Sequence, residues 1–216
     1  FIKDKASKNY NTKEIPLVTT AMEYYTYKND TRKTNKLYND LDLLNNFINN
    51  LDKRIFNNLV FKAHPVENVK SKEFSYLKYI QKNHSKIKVY KTFNNLEKII
   101  DNSKISVFFY LATSFLRSLT LNKPCILIYP CEFEELINDE CLFLFQKLKS
   151  ANIVQEDAIK AAKFLNTNYD QINDWWYNDK TQIVRKEFSN IFAKKKDDSL
   201  KSLINLLNKQ KFHNNK

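Results

Sequence analysis

The sequence predicts an α/β fold, a parallel β-sheet with helices on both faces followed by a C-terminal helical extension. Three observations carry this expectation. Between residues 15 and 129, apolar runs of strand length alternate with amphipathic runs of helical period. The runs 105–109 and 125–129 are almost continuously apolar, as strands buried on both faces must be. Beyond Pro130 the pattern is mostly helical.

The elements follow in chain order. Residues 15–20, Ile-Pro-Leu-Val-Thr-Thr, read as a strand with Pro16 tolerated near its start. Between 36 and 56, Leu37, Leu41, Leu44, Ile48, Leu51 and Ile55 step by four and three, which predicts one helix with a single buried stripe. Residues 59–63 form a second strand, stopped by His64-Pro65. A helix over 71–84 and a strand over 87–90 follow, and Thr92 is placed to cap the next helix, which carries Phe93, Leu96, Ile99 and Ile100. The strand 105–109, a helix over 113–121, the breaker Asn122-Lys123-Pro124 and the strand 125–129 complete the series. Helices are then expected at about 134–150, 156–166, 170–177, 179–194 and 199–210, with one short strand at 153–154.

Composition excludes several chemistries. The 216 residues contain no Gly. A P-loop, a G-x-G-x-x-G dinucleotide turn, a G-x-S-x-G nucleophile elbow and a kinase Gly-rich loop are therefore all ruled out. A phosphate must be held by side chains and helix N-termini instead. The abundance of Lys, Asn, Ile, Phe and Tyr is what an AT-rich coding sequence produces, and the same bias depletes Gly. Cys125, Cys131 and Cys141 are odd in number and contain no C-x-x-C pair, so neither a disulfide framework nor a zinc site is expected. No metal site is assigned.

Charge and hydropathy bound the partners. Thirty-six Lys and Arg against 24 Asp and Glu leave a net charge of +12, which suits a phosphorylated ligand, an anionic membrane surface or nucleic acid. Clusters such as Lys194-Lys195-Lys196 and Lys209, Lys211 and Lys216 fall in the C-terminal portion, where solvated helix ends also carry them. No run approaches the roughly 18 apolar residues of a membrane helix, and residues 1–10 are too polar for a secretory leader. The chain opens on Phe1 and its one Met is Met22, which leads to the expectation of a domain cut from a longer protein.

Ligands of open parallel sheets bind outside the carboxyl ends of the strands. Two loops there carry suitable groups. In 61–65, Pro65 biases its predecessor away from helix, so His64 leaves the strand extended, with Lys62 as a second cation. The bland alternative is a surface His at a strand–turn junction. In 112–114, Thr113 and Ser114 stand between strand and helix, where free N–H groups and the helix dipole attract an anion. Its bland alternative is simple N-capping. His64 and Thr113 are expected at adjacent strand ends, facing one cavity. Trp175 and Trp176 are read as anchors of the C-terminal helices rather than sugar-stacking platforms. The acidic run Glu132, Glu134, Glu135, Asp139 and Glu140 suits a sugar, a metal or a solvated helix face equally.

The array strand–His64-Pro65, then strand–Thr113-Ser114–helix–Asn122-Lys123-Pro124–strand, resembles the C-terminal, donor-binding half of GT-B glycosyltransferases. Within that group the chain is similar to the surface-carbohydrate transferases of the LIC12162 family. The resemblance spans roughly residues 15–195 and is most specific over 113–127, over Asp174-Trp175-Trp176-Tyr177, and over 184–188 with Phe192-Ala193. It implies a Rossmann-like nucleotide-binding domain over 1–167 and a helical extension over 168–216. It implies that His64, Thr113 and Ser114 hold the phosphates of a CMP- or CDP-activated sugar, with Lys62 assisting. The acceptor is then a carbohydrate, the pathway surface polysaccharide biosynthesis, and the location the cytoplasm or the inner face of the cell membrane. The catalytic base is expected in a missing N-terminal domain, so these residues should fold alone yet transfer nothing. No cofactor is implied, and nucleic acid is not favoured.

Two departures stand out. The family pattern before the helix tends to read Asp-Tyr-Asn-Ser-Thr, whereas this chain has Phe109, Tyr110, Leu111, Ala112 and Thr113. An acid that commonly grips the donor ribose is expected where Arg117 stands, and Arg has only donors. Either Arg117 faces a phosphate or this copy has lost activity. A basic, non-catalytic module for nucleic acid or anionic lipid headgroups is the alternative from another class.

Overall fold

The computed structural model describes residues 13–20, 36–64, 75–90, 95–131, 134, 137–193 and 204. The order is β1 (Ile15–Val18), α1 (Lys36–Asn49), α2 (Lys53–Phe56), β2 (Leu59–Lys62), α3 (Tyr76–Asn83), β3 (Lys88–Tyr90), α4 (Leu96–Asn102), β4 (Ser106–Phe108) and α5 (Thr113–Thr120). Then come β5 (Cys125–Ile128), α6 (Asp139–Ser150), β6 (Val154–Gln155), α7 (Ala158–Asn168), α8 (Ile172–Tyr177) and α9 (Asp179–Phe192). The strands form one six-stranded sheet in the order β3-β2-β1-β4-β5-β6. Every pairing is parallel. The fold is α/β and Rossmann-like, as expected.

The period-two alternation of strand side chains builds two cores. Ile15, Leu17, Phe61, Val107, Ile126 and Ile128 face one side, against α1, α3 and α7. Val18, Phe108, Cys125 and Leu127 face the other, against Ile100 of α4, Phe115 and Leu119 of α5, Phe145 and Leu148 of α6, and Phe188 of α9. Covering both faces is what makes these strands almost uniformly apolar.

Several boundaries differ from expectation. The helix expected over 36–56 is broken into α1 and α2. Asn166 of α7 bonds both sides of the break, its Oδ1 accepting from the Asp52 N–H at 2.9 Å and its Nδ2 donating to the Asn50 carbonyl at 2.9 Å. The strand expected over 15–20 ends at Val18. Helix α3 is seen from Tyr76, with the Ser75 hydroxyl accepting from the Lys78 N–H. Thr92 lies outside the described residues; α4 is capped by Asn95, which accepts from the Glu97 N–H at 2.8 Å. The helix expected over 199–210 also lies outside them, apart from Ile204, which is helical. So do Lys194 to Lys196 and the basic tail.

Turns made without Gly use Asn. Among the described residues, the non-Gly positions of positive φ are Asn122 (53°) and Asn152 (59°), in the turns leading to β5 and β6. Asn tolerates the left-handed region better than most side chains. Asn122 does more than turn the chain. Its Oδ1 accepts from Trp176 Nε1 and from Gln182 Nε2, each at 3.0 Å, and its carbonyl accepts from the Tyr177 hydroxyl at 3.3 Å. Trp176 is 0% exposed and Trp175, half-buried, packs against both cores while donating to the Ala151 carbonyl. The aromatic pair is an anchor.

Candidate functional site

Strand order fixes where a ligand can enter. From β1 the chain moves outward through β2 to β3, then returns to β4 beside β1 and moves the opposite way through β5 to β6. The connections leaving β1 and β4 therefore diverge, opening a crevice at their carboxyl ends. His64 follows β2 and Thr113 follows β4, so β1 lies between them. The expectation of adjacent strand ends is corrected in that respect: pairing order is set by long-range contacts, not by sequence order.

The carboxyl end of β2 supplies the first groups. Lys62 is the last residue of the strand and is only 6% exposed. Its Nζ donates to the Ala63 carbonyl at 2.8 Å, and burial lowers the pKa of its ammonium. Ala63 is buried and His64 half-buried at the edge of the described segment. Pro65 lies outside the described residues.

Helix α5 supplies the second group. Its N-cap residue is Ala112, and no side chain caps the helix. The capping alternative thus fails on identity: a methyl group cannot accept a hydrogen bond. Thr113 is exposed in the first turn, and Ser114 donates from its hydroxyl to the Tyr110 hydroxyl at 3.4 Å. The amino end of α5, with its positive dipole end, is left for whatever occupies the crevice.

These residues line one cavity of about 460 Å³, together with Arg117 from the second turn of α5. All five residues singled out in the sequence, Lys62, His64, Thr113, Ser114 and Arg117, are brought together there. Val18, Thr19, Ala63, Leu96, Glu97, Ile100 and Tyr110 complete the lining. Thr19, Glu97 and Tyr110 are the polar groups that sequence reasoning missed. A signal existed for Thr19, a hydroxyl at the carboxyl end of a strand, but reading the strand as far as residue 20 placed it inside the element. Glu97 had none, because its place depends on how α4 packs against α5. Its carboxylate meets Arg117 Nε at 2.9 Å, both side chains being about half exposed. An acid is thus present beside Arg117, contributed by the neighbouring helix.

The remaining candidates fall elsewhere. Glu134 pairs with Lys149, the two side chains only 15% and 13% exposed, and accepts from Gln146 Nε2 at 2.8 Å, on the β5–α6 side. Glu132 and Glu135 lie outside the described residues. Among the described residues, no group of three or more His, Cys, Asp or Glu could hold a metal ion, and no helix is long and apolar enough to cross a membrane. Cys125 is sealed in the core, where burial pushes its thiol well above the usual range, and Cys131 is exposed.

Residues 1–207 match the model of the LIC12162 family transferase. No curated protein and no solved structure matches the chain. With nearly its whole length matched, the chain belongs to the LIC12162 transferase family.

Proposed function

We propose that the cavity binds the phosphates of a nucleotide-activated sugar, of CMP or CDP type. The chain is then the donor-binding, GT-B-like half of a glycosyltransferase acting in surface polysaccharide biosynthesis. One observation carries the reading: two basic side chains at the end of β2 and the uncapped amino end of α5 line a single cavity at the switch point of a parallel sheet.

The chemistry follows from those groups. Sugar transfer leaves negative charge on the departing phosphate, and fixed donors facing that charge lower the barrier. His64, Lys62 and the Thr113–Ser114 turn supply such donors. Arg117 adds a further cation, and Glu97 beside it supplies the acceptor that ribose hydroxyls require. On this reading the base that deprotonates the carbohydrate acceptor is not one of these groups. A net charge of +12 also suits work at the inner face of an anionic membrane.

Calorimetric titration with CMP and CDP tests the reading. His64→Ala should weaken binding by about 1.5–3 kcal/mol, the worth of a hydrogen bond to a charged group, with an unchanged melting temperature. Absence of saturable nucleotide binding by the unaltered chain refutes it. So does affinity that collapses as steeply with salt as polyanion binding does, the behaviour of a basic surface module.

A further inference from the structure

Thr19 presents a hydroxyl with no visible task. It directly follows Val18, the last residue of β1, and β1 is the strand at the switch point. The residue is 3% exposed and lines the cavity, yet its Oγ1 is buried without a hydrogen-bond partner among the described residues. A buried hydroxyl is normally satisfied, because stripping it of water without replacing the bond is costly. Packing does not require it here, since Val fills the same shape without the polar atom.

The surroundings say what kind of partner is missing. Lys62 offers donors only, and so does the amino end of α5. A ligand drawn to such a place carries anionic oxygens. A hydroxyl among them can turn its proton toward an oxygen, filling the gap between the basic groups at the end of β2 and the helix that follows β4.

We infer that Thr19 is a ligand-binding residue whose hydroxyl donates to a phosphate oxygen in the cavity. This inference rests on the proposed donor-phosphate reading and adds to it a contact from the central strand. It also assigns the ligand a diphosphate rather than a monophosphate, because phosphate oxygens must then reach β2, β1 and α5 at once.

The experiment compares Thr19→Val and Thr19→Ser with the unaltered chain, using CDP, CMP and inorganic pyrophosphate as probes in calorimetric titrations, alongside thermal melts. The expected result is a roughly ten- to hundredfold weaker CDP affinity for Thr19→Val. Its melting temperature should be equal or higher, because an unsatisfied buried group is removed. Thr19→Ser should keep CDP affinity within about threefold, since it retains the hydroxyl. CDP and pyrophosphate should bind more tightly than CMP. Thr19→Val binding CDP as the unaltered chain does overturns the inference, as does a lower melting temperature in which Thr19→Ser fails to restore binding. Loss of affinity in His64→Ala alongside full affinity in Thr19→Val removes Thr19 but leaves the donor reading standing. Failure of the unaltered chain to bind any of the three probes removes both.

Discussion

Replacing Trp176 by Ala deletes an indole that is 0% exposed and wedged within the second core cluster, beside Trp175 at a ring separation of 5.3 Å. An indole buries roughly 200 Å². At about 25 cal/mol per Å², that area sets a ceiling near 5 kcal/mol. Large-to-small substitutions of buried Trp cost about 3–5 kcal/mol, so both routes agree. The indole hydrogen bond adds only about 1 kcal/mol to this figure, because Asn122 Oδ1 keeps its second donor, Gln182. Trp176→Phe separates the contributions: it retains most of the ring, and the lost bond should appear as about 1 kcal/mol plus a partial cavity. For a chain of this size the Ala variant should melt roughly 10 °C lower. Urea unfolding followed by circular dichroism measures the midpoint. An unchanged midpoint for Trp176→Ala, with weaker sugar binding, refutes the anchoring role and restores the stacking alternative.

Two further predictions test the turn before β5 and the buried lysine. At Asn122, with φ of 53°, Ala adds left-handed strain that Gly does not, so Asn122→Ala should be less stable than Asn122→Gly by about 1 kcal/mol, and both less stable than the unaltered chain. Equal urea midpoints for the two variants would show that the turn relaxes. Burial lowers the Lys62 pKa, so the unfolded chain holds the proton more tightly and stability should rise with pH between the lowered value and the ordinary lysine value of 10.5. That rise should vanish in Lys62→Met. A bound phosphate restores the charged form, so binding of CDP in the same window should take up protons, and affinity should fall as pH rises. Titrations in buffers of different ionisation enthalpy detect the uptake, and identical uptake by Lys62→Met would dismiss Lys62 as its source.

Local chemistry made the elements and part of the site legible. Strand-length apolar runs separated by amphipathic ones identified β2, β4 and β5 to within a residue, because side-chain period and burial on both faces are written along the chain. His64 before Pro65, and Thr113 and Ser114 before a helical run, marked strand ends for equally local reasons. Helix α1 was overextended because periodicity alone cannot register that Asn166, more than a hundred residues away, bonds both sides of a break. The Asn122 turn was readable as a breaker, but its bonds to Trp176 and Gln182 were not.

Readable along the chain, then, were the α/β class, the order of the elements and which strand ends carry basic groups and hydroxyls. Each depends on neighbours within a few residues or on a short repeat. Packing in three dimensions was needed to set β1 between β2 and β4, to put the switch point beside it, and to bring Thr19 and Glu97 into the cavity. Strand pairing, like the meeting of Glu97 with Arg117, joins residues far apart in the chain. It is settled by which apolar faces bury together, and no local run of residues carries that information.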